Sequence, residues 1–236
     1  MSDARPAPAE RHFVKYTFLK VDPAWRRLPA EQRAQDKAEF VAACEDFGAD
    51  ALLQSFSLMG TRGDADLMLV AETESLDRIH EFAVVLAQSG LAKWATQPYS
   101  FLGMRKSSEY SDEQRFVARP FTGKYLFVYP FVKTRAWYQM DAAERWRIMQ
   151  QHIQVGREYP EVDNHTTYSF GLDDQEFVVA FDTDDVASFL DLVQRLRSTE
   201  ASAYTARDTP SFTTIRTSLK RMVDALDGEA LVVAGS

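Results

Sequence analysis

Two histidines stand in MQQHIQVGREYPEVDNH, residues 149–165, and a tyrosine, a lysine and a tryptophan stand upstream in VYPFVKTRAW, residues 128–137. His152 falls three residues after Met149 and six after Trp146. At about 100° per residue that places it on the flank of a helical apolar stripe. A neutral imidazole there, oriented through its other ring nitrogen, is a ligand for a metal or a haem iron. The plainer alternative is a half-buried histidine satisfied by its own hydrogen bonds. Tyr129 and Trp137 are ordinary core aromatics in one reading. In the other, a phenol on a pocket wall donates a proton or carries a one-electron oxidation beside an oxidised cofactor. Lys133 is either a solvated strand end or the partner of a propionate or similar acid.

Other chemistries find less support. There is no H-E-x-x-H, H-x-x-E-H or Cys/His cluster, and His152 and His165 are too loosely spaced for zinc. DTDD (182–185) and GLDDQE (171–176) lack the glycine placement of a calcium loop and read as solvated turn and cap residues. Neither a phosphate-binding glycine motif nor a G-x-S-x-G elbow is present. The single cysteine, Cys44, lies in an amphipathic stretch and reads as a buried structural thiol, with a reducing cytoplasm as its natural compartment. A net charge of −8 argues against nucleic acid or anionic membrane as partner. No apolar run approaches the roughly 20 residues that span a bilayer, so no membrane insertion is expected.

The elements that must position these residues alternate between strand and helix periods. Strands are expected at 12–21, 51–60, 64–73 and 98–107, with helices at 28–48 and 75–94, the second capped by Ser75. The order then recurs: strands at 123–133, 164–172, 175–183 and 210–219, with helices at 141–159, 184–204 and 218–228. Asp141 is the expected cap of the first of these, with Glu144 closing a capping box. YTFLKVDPAWRRLPAEQR (16–33) can be laid over YLFVYPFVKTRAWYQMDAAER (125–145) with a small insertion, which adds Tyr129 and Lys133 before the shared tryptophan.

One β-α-β-β-α-β unit therefore occurs twice, and the fold class is α+β: two tandem ferredoxin-like units merging into an antiparallel barrel with outer helices. The expected division is a disordered tail at 1–11, halves at 12–118 and 119–227, and a C-terminal tail at 228–236.

VYPFVKTRAWYQMDAAERWRIMQQH, with FGLDDQEFVVAFDTDD and RSTEASAYTARDTPSFTT, closely resembles the haem proteins of the chlorite dismutase superfamily. The resemblance runs from about residue 12 to 226 and is densest in the second half. Its most specific part is Tyr129-Pro-x-x-Lys133-x-x-x-Trp137 ahead of the helix bearing His152. It implies haem iron ligated by His152, Trp137 packed near the porphyrin rim, a cytoplasmic setting and a ring-shaped homopentamer. It also implies one of two activities. Chlorite dismutases convert chlorite to chloride and dioxygen. Coproheme decarboxylases use hydrogen peroxide to turn iron coproporphyrin, which is substrate and cofactor together, into haem b by way of a three-propionate intermediate.

Chlorite dismutases carry a distal arginine about thirteen residues after the proximal histidine. Here that count reaches His165, while counting back from GLDD reaches Asn164. Neither is a fixed cation, which argues against efficient chlorite chemistry. Tyr129 fits the radical-forming tyrosine of the decarboxylases and Lys133 the residue that positions the carboxylates, although both types also occur in chlorite dismutases. Arg119 and Ser202 are further candidates for propionate contact. The actinobacterial decarboxylases use a distal histidine on the connection between halves, and SSEYSDEQRF (107–116) has none. His165 is the candidate replacement as peroxide-deprotonating base. Decarboxylation of coproheme is the expected function, with chlorite dismutation or non-catalytic haem binding and sensing as alternatives.

Overall fold

The computed structural model describes residues 11–108, 110 and 118–229. Nearly all of the expected N-terminal tail, most of the C-terminal tail and most of the 107–116 connection lie outside them. The first half runs β1 (Phe13–Val21), a 3-10 turn (Pro23–Arg27), α1 (Ala30–Gly48), β2 (Leu52–Ser57), β3 (Leu67–Thr73), α2 (Leu76–Gln88), α3 (Gly90–Lys93) and β4 (Ala95–Met104). The second runs β5 (Tyr125–Lys133), α4 (Arg135–Gln139), α5 (Ala142–Arg157), β6 (Asp163–Asn164), β7 (Thr167–Tyr168), β8 (Phe177–Thr183) and α6 (Val186–Arg197). A 3-10 turn (Glu200–Tyr204), β9 (Thr205–Arg207), β10 (Phe212–Arg216) and α7 (Leu219–Asp224) complete it.

The strands form two four-stranded blocks, β4-β1-β3-β2 and β10-β5-β8-β7, each in the ferredoxin-like order. β2 pairs with β10 and β4 with β7, so the sheet closes into an antiparallel eight-stranded barrel. Phe18, Phe56, Met68, Leu126, Val128, Val178 and Phe212 fill its interior.

Local chemistry sets most element ends. Ser75 caps α2 by accepting from the Arg78 N–H, and Asp141 caps α5 by accepting from the Ala143 N–H at 2.8 Å. Several expectations fail, among them the single helix at 75–94, which breaks at the extended Ser89 into α2 and α3. Glu144 places its carboxylate on Arg147 rather than closing a capping box. The strand expected at 164–172 survives as two two-residue pieces, and the helix expected at 184–204 ends at Arg197 and continues as a 3-10 turn. Nor is there an insertion between the repeats. Phe13 corresponds to Tyr125, Trp25 to Trp137 and Ala30 to Ala142, a constant offset of 112 residues. Tyr129, Lys133 and His152 are therefore substitutions at the places of Thr17, Val21 and Phe40, not additions.

That equivalence exposes a difference in packing. Outside the barrel of the first half, α1 and α2 close on the sheet through Val21, Trp25, Phe40 and Phe47, each 0% exposed. In the second half the buried residues split into two smaller clusters, Trp137, Ile148 and Ala201 in one and Val162, Val179, Phe181 and Leu192 in the other, and none of them is 0% exposed. Tyr129, Phe131, Tyr159, Phe177 and Phe189 around the latter cluster are only half-buried. Cys44 is buried in the first seam, and burial pushes its thiol well up, out of the reactive range. Among the described residues no helix is long and apolar enough to cross a membrane.

Candidate functional site

Alternation along β5 sends Leu126 and Val128 into the barrel and Tyr129, Phe131 and Lys133 outward, toward α5 and α6. Tyr129 and Lys133 are two strand repeats apart, about 13 Å. The Lys133 Nζ donates to the Ala201 carbonyl at 3.1 Å and lies 4.3 Å from the Trp137 ring centroid. Burial lowers its pKa to about 8, against the opposing pull of Glu176. Glu176 accepts from the Lys133 backbone N–H at 2.8 Å and from the Tyr138 hydroxyl at 2.5 Å, which ties the strand end to α4.

His152 rises from α5 into the same seam. Its Nδ1 faces the Thr199 Oγ1 at 3.5 Å, and that hydroxyl donates to the Leu196 carbonyl at 2.7 Å. With its proton so spent, the hydroxyl offers the imidazole only lone pairs. The arrangement favours the proton on Nδ1 and leaves Nε2 bare. Burial, and next the Lys133 charge, lower the His152 pKa to about 4. A neutral imidazole with a bare nitrogen beside a cation suits an iron porphyrin carrying propionates. The donor set fits haem.

Asn164 and His165 point to opposite faces. Asn164 pairs with Phe181, which faces the helices, so Asn164 is presented to the side of Tyr129 and His152, where it is exposed. His165 is 1% exposed. Its Nε2 lies 3.0 Å from the Asp182 Oδ1 and 3.3 Å from the Asp163 Oδ2, with the Phe121 ring 4.6 Å away. The other Asp182 oxygen accepts from the Thr122 and Gly123 N–H groups at 2.6 and 2.7 Å. Burial alone would lower the His165 pKa, but the two carboxylates outweigh it and raise it. His165 thus ties the barrel end to the start of the second half and does not join the His152 seam. Arg119 pairs with Asp163 in this network rather than meeting Lys133. Ser202 follows Ala201 in the 3-10 turn that receives Lys133.

A family model described as Chlorite dismutase matches residues 32–217. The chain belongs to the chlorite dismutase family. Its relatives include the curated coproheme decarboxylase of Mycolicibacterium smegmatis, 27% identical over 219 residues that cover 90% of this chain and 94% of that one. Among solved structures, chlorite dismutase from Candidatus Nitrospira defluvii in complex with imidazole superimposes with a TM-score of 0.83 at 23% identity, over 94% of this chain and 97% of that one. A haem-binding protein from Thermus thermophilus gives 0.82 at 24% identity, over 93% and 96%.

Within this chlorite dismutase fold, the seam brings His152, Lys133, Trp137 and Tyr129 to one side of the second half, with Asn164 on the same sheet face. Sequence reasoning missed Thr199, Glu176 and Tyr138. GLDDQE reads as a solvated turn, yet Glu176 is 8% exposed, and Asp182 of DTDD is 2% exposed. Asp182 sits on β8 and Glu176 in the bend just before it, and the only signal was their adjacency to FVVAF. Thr199 carries no motif; it matters because the end of α6 delivers it to His152.

Proposed function

We propose that this protein binds iron coproporphyrin in the seam of its second half and uses hydrogen peroxide to remove two propionate carboxyl groups, giving haem b. The observation that carries this reading is His152, a neutral ligand in a half-open seam at the place where the first half packs Phe40. The curated coproheme decarboxylase relative supports it. Residues 12–118 then form a scaffold half and 119–227 the haem-binding half, in a cytoplasmic homopentamer as the family resemblance implies.

When bound, the porphyrin iron supplies the redox chemistry with peroxide. His152 holds the iron through Nε2. Lys133 orients a propionate, backed by Trp137 and by the Ala201–Ser202 turn. Tyr129 stays protonated at rest, because burial raises its pKa, and relays an oxidising equivalent to a propionate side chain. Asn164 offers a neutral amide on the sheet face opposite α5. Arg119 is available to a propionate only by leaving Asp163, which His165 then keeps partnered.

Chlorite dismutation is the second reading, favoured by the solved-structure neighbours and disfavoured by a neutral residue at the distal position. Two incubations separate them. Coproheme with peroxide, followed by porphyrin mass, should lose two carboxyl groups. Haem b with chlorite should give little dioxygen. An unchanged porphyrin mass with rapid dioxygen release would reverse the assignment, and neither outcome with iron bound would leave a sensor.

A further inference from the structure

Tyr129 also lines a cavity of about 110 Å³ that the proposed reaction has not used. Arg197 at the end of α6 and Asp208 and Ser211 between β9 and β10 form its polar wall; Phe127 and Phe189 form its apolar one. Asp208 pairs with Arg197 at 2.6 Å, and the Asp208 side chain is 18% exposed. Among the described residues no protein group accepts from or donates to the Tyr129 hydroxyl. At about 30 Å³ of liquid volume per water, the cavity has room for a short water chain.

Resting on the decarboxylase reading, we infer that Asp208 is the acceptor of the Tyr129 phenolic proton, reached through this cavity. An oxidised phenol in an apolar seam must shed its proton, and Asp208 is the carboxylate facing the cavity. Its negative charge is also the next influence after burial that holds the resting phenol protonated, while Arg197 opposes it. The ion pair with Arg197 fixes the Asp208 carboxylate at the cavity wall.

The step balances. Tyr129 gives up one electron and passes its proton to Asp208. The phenoxyl takes a hydrogen atom from the propionate carbon next to the ring, which restores the O–H bond. The substrate radical loses a second electron, the bond to the carboxylate breaks, and carbon dioxide leaves a vinyl group. The two electrons, with the proton that Asp208 releases toward solvent beside Arg197 and one more from solvent, reduce one hydrogen peroxide to two waters.

The test is Asp208→Asn, with Asp208→Glu as the conservative variant. With 3-fluorotyrosine at position 129, fluorine NMR of the substrate-free protein should show the phenol titrating about one unit lower in Asp208→Asn. Coproheme affinity should be unchanged, while single-turnover decarboxylation slows about 100-fold and recovers in Asp208→Glu. An unshifted phenol, or wild-type decarboxylation in Asp208→Asn, overturns the inference. If the parent protein itself leaves coproheme intact with peroxide, the decarboxylase reading fails and takes this one with it, so the two failures are distinct.

Discussion

His152 and Phe40 hold the same place in two copies of one helix, each eleven residues past its cap residue, Asp141 and Pro29. Phe40 is 0% exposed and locks α1 onto its sheet, a contribution of about 2–3 kcal/mol for a fully buried aromatic. His152 forgoes that packing. What the second half has instead is a half-buried neutral imidazole facing Thr199.

His152→Phe should therefore separate stability from function. It should abolish the axial-ligand absorbance spectrum on coproheme titration while raising the substrate-free melting temperature, because it restores the packing of the first half. His152→Ala should lose the same spectrum without the gain in stability. An unchanged spectrum in both variants would remove His152 as the iron ligand.

Lys133→Ala should weaken coproheme binding about tenfold, roughly the 1.4 kcal/mol available from one partly buried charge-assisted hydrogen bond. Haem b, with two fewer carboxylates, should be affected less. Fluorescence quenching titrations with both porphyrins check this. Equal effects on the two would mean that Lys133 does not face the propionates removed in the reaction.

His165 should behave as a structural residue. Its pKa is raised above the ordinary 6.5, so its stabilisation is full below that value and is lost as pH rises through the folded-state value. Asp182 and Asp163 are lowered below 3.8 despite burial, because they accept from His165. Their stabilisation is present above 3.8 and lost as pH falls through their folded-state values. His165→Ala should cost about 3 kcal/mol near pH 6, by leaving Asp182 buried without its cation. The difference from wild type should narrow as pH rises, while the folded fraction keeps its activity. Urea melts across pH, paired with turnover per folded molecule, decide the matter. A stable but inactive variant would return His165 to the active site.

These residues show where the sequence was readable. The two halves were legible because strand and helix periods repeat with aromatics and caps in step, and the Tyr-Pro-x-x-Lys-x-x-x-Trp segment marked β5 and the connection into α5. The face of β6 was not legible. Asn164 and His165 are adjacent, so a one-residue ambiguity in register exchanges an exposed residue on the helix-facing side for a buried one. Only pairing with Phe181 and Asp182 on β8 resolves it. Thr199, Glu176 and Asp208 are brought to the seam by helix ends and turns, where no periodic pattern points.

Asn164 gives that register a chemical consequence. Asn164→Arg would place a fixed cation on the helix-facing side of β6, where it can hold an oxyanion, and dioxygen release from chlorite by the haem b complex should rise about tenfold or more. An oxygen electrode records the result. No gain with haem fully bound would mean that Asn164 does not face the iron.

The most direct measurement is the mass of the porphyrin recovered after peroxide is titrated into the coproheme complex, run in parallel for wild type and Tyr129→Phe. Wild type should lose two carboxyl groups stepwise, through a three-propionate species, and Tyr129→Phe should keep an iron-bound but unaltered tetrapropionate. Intact coproheme in the wild-type sample, or normal product in Tyr129→Phe, would contradict the decarboxylase mechanism.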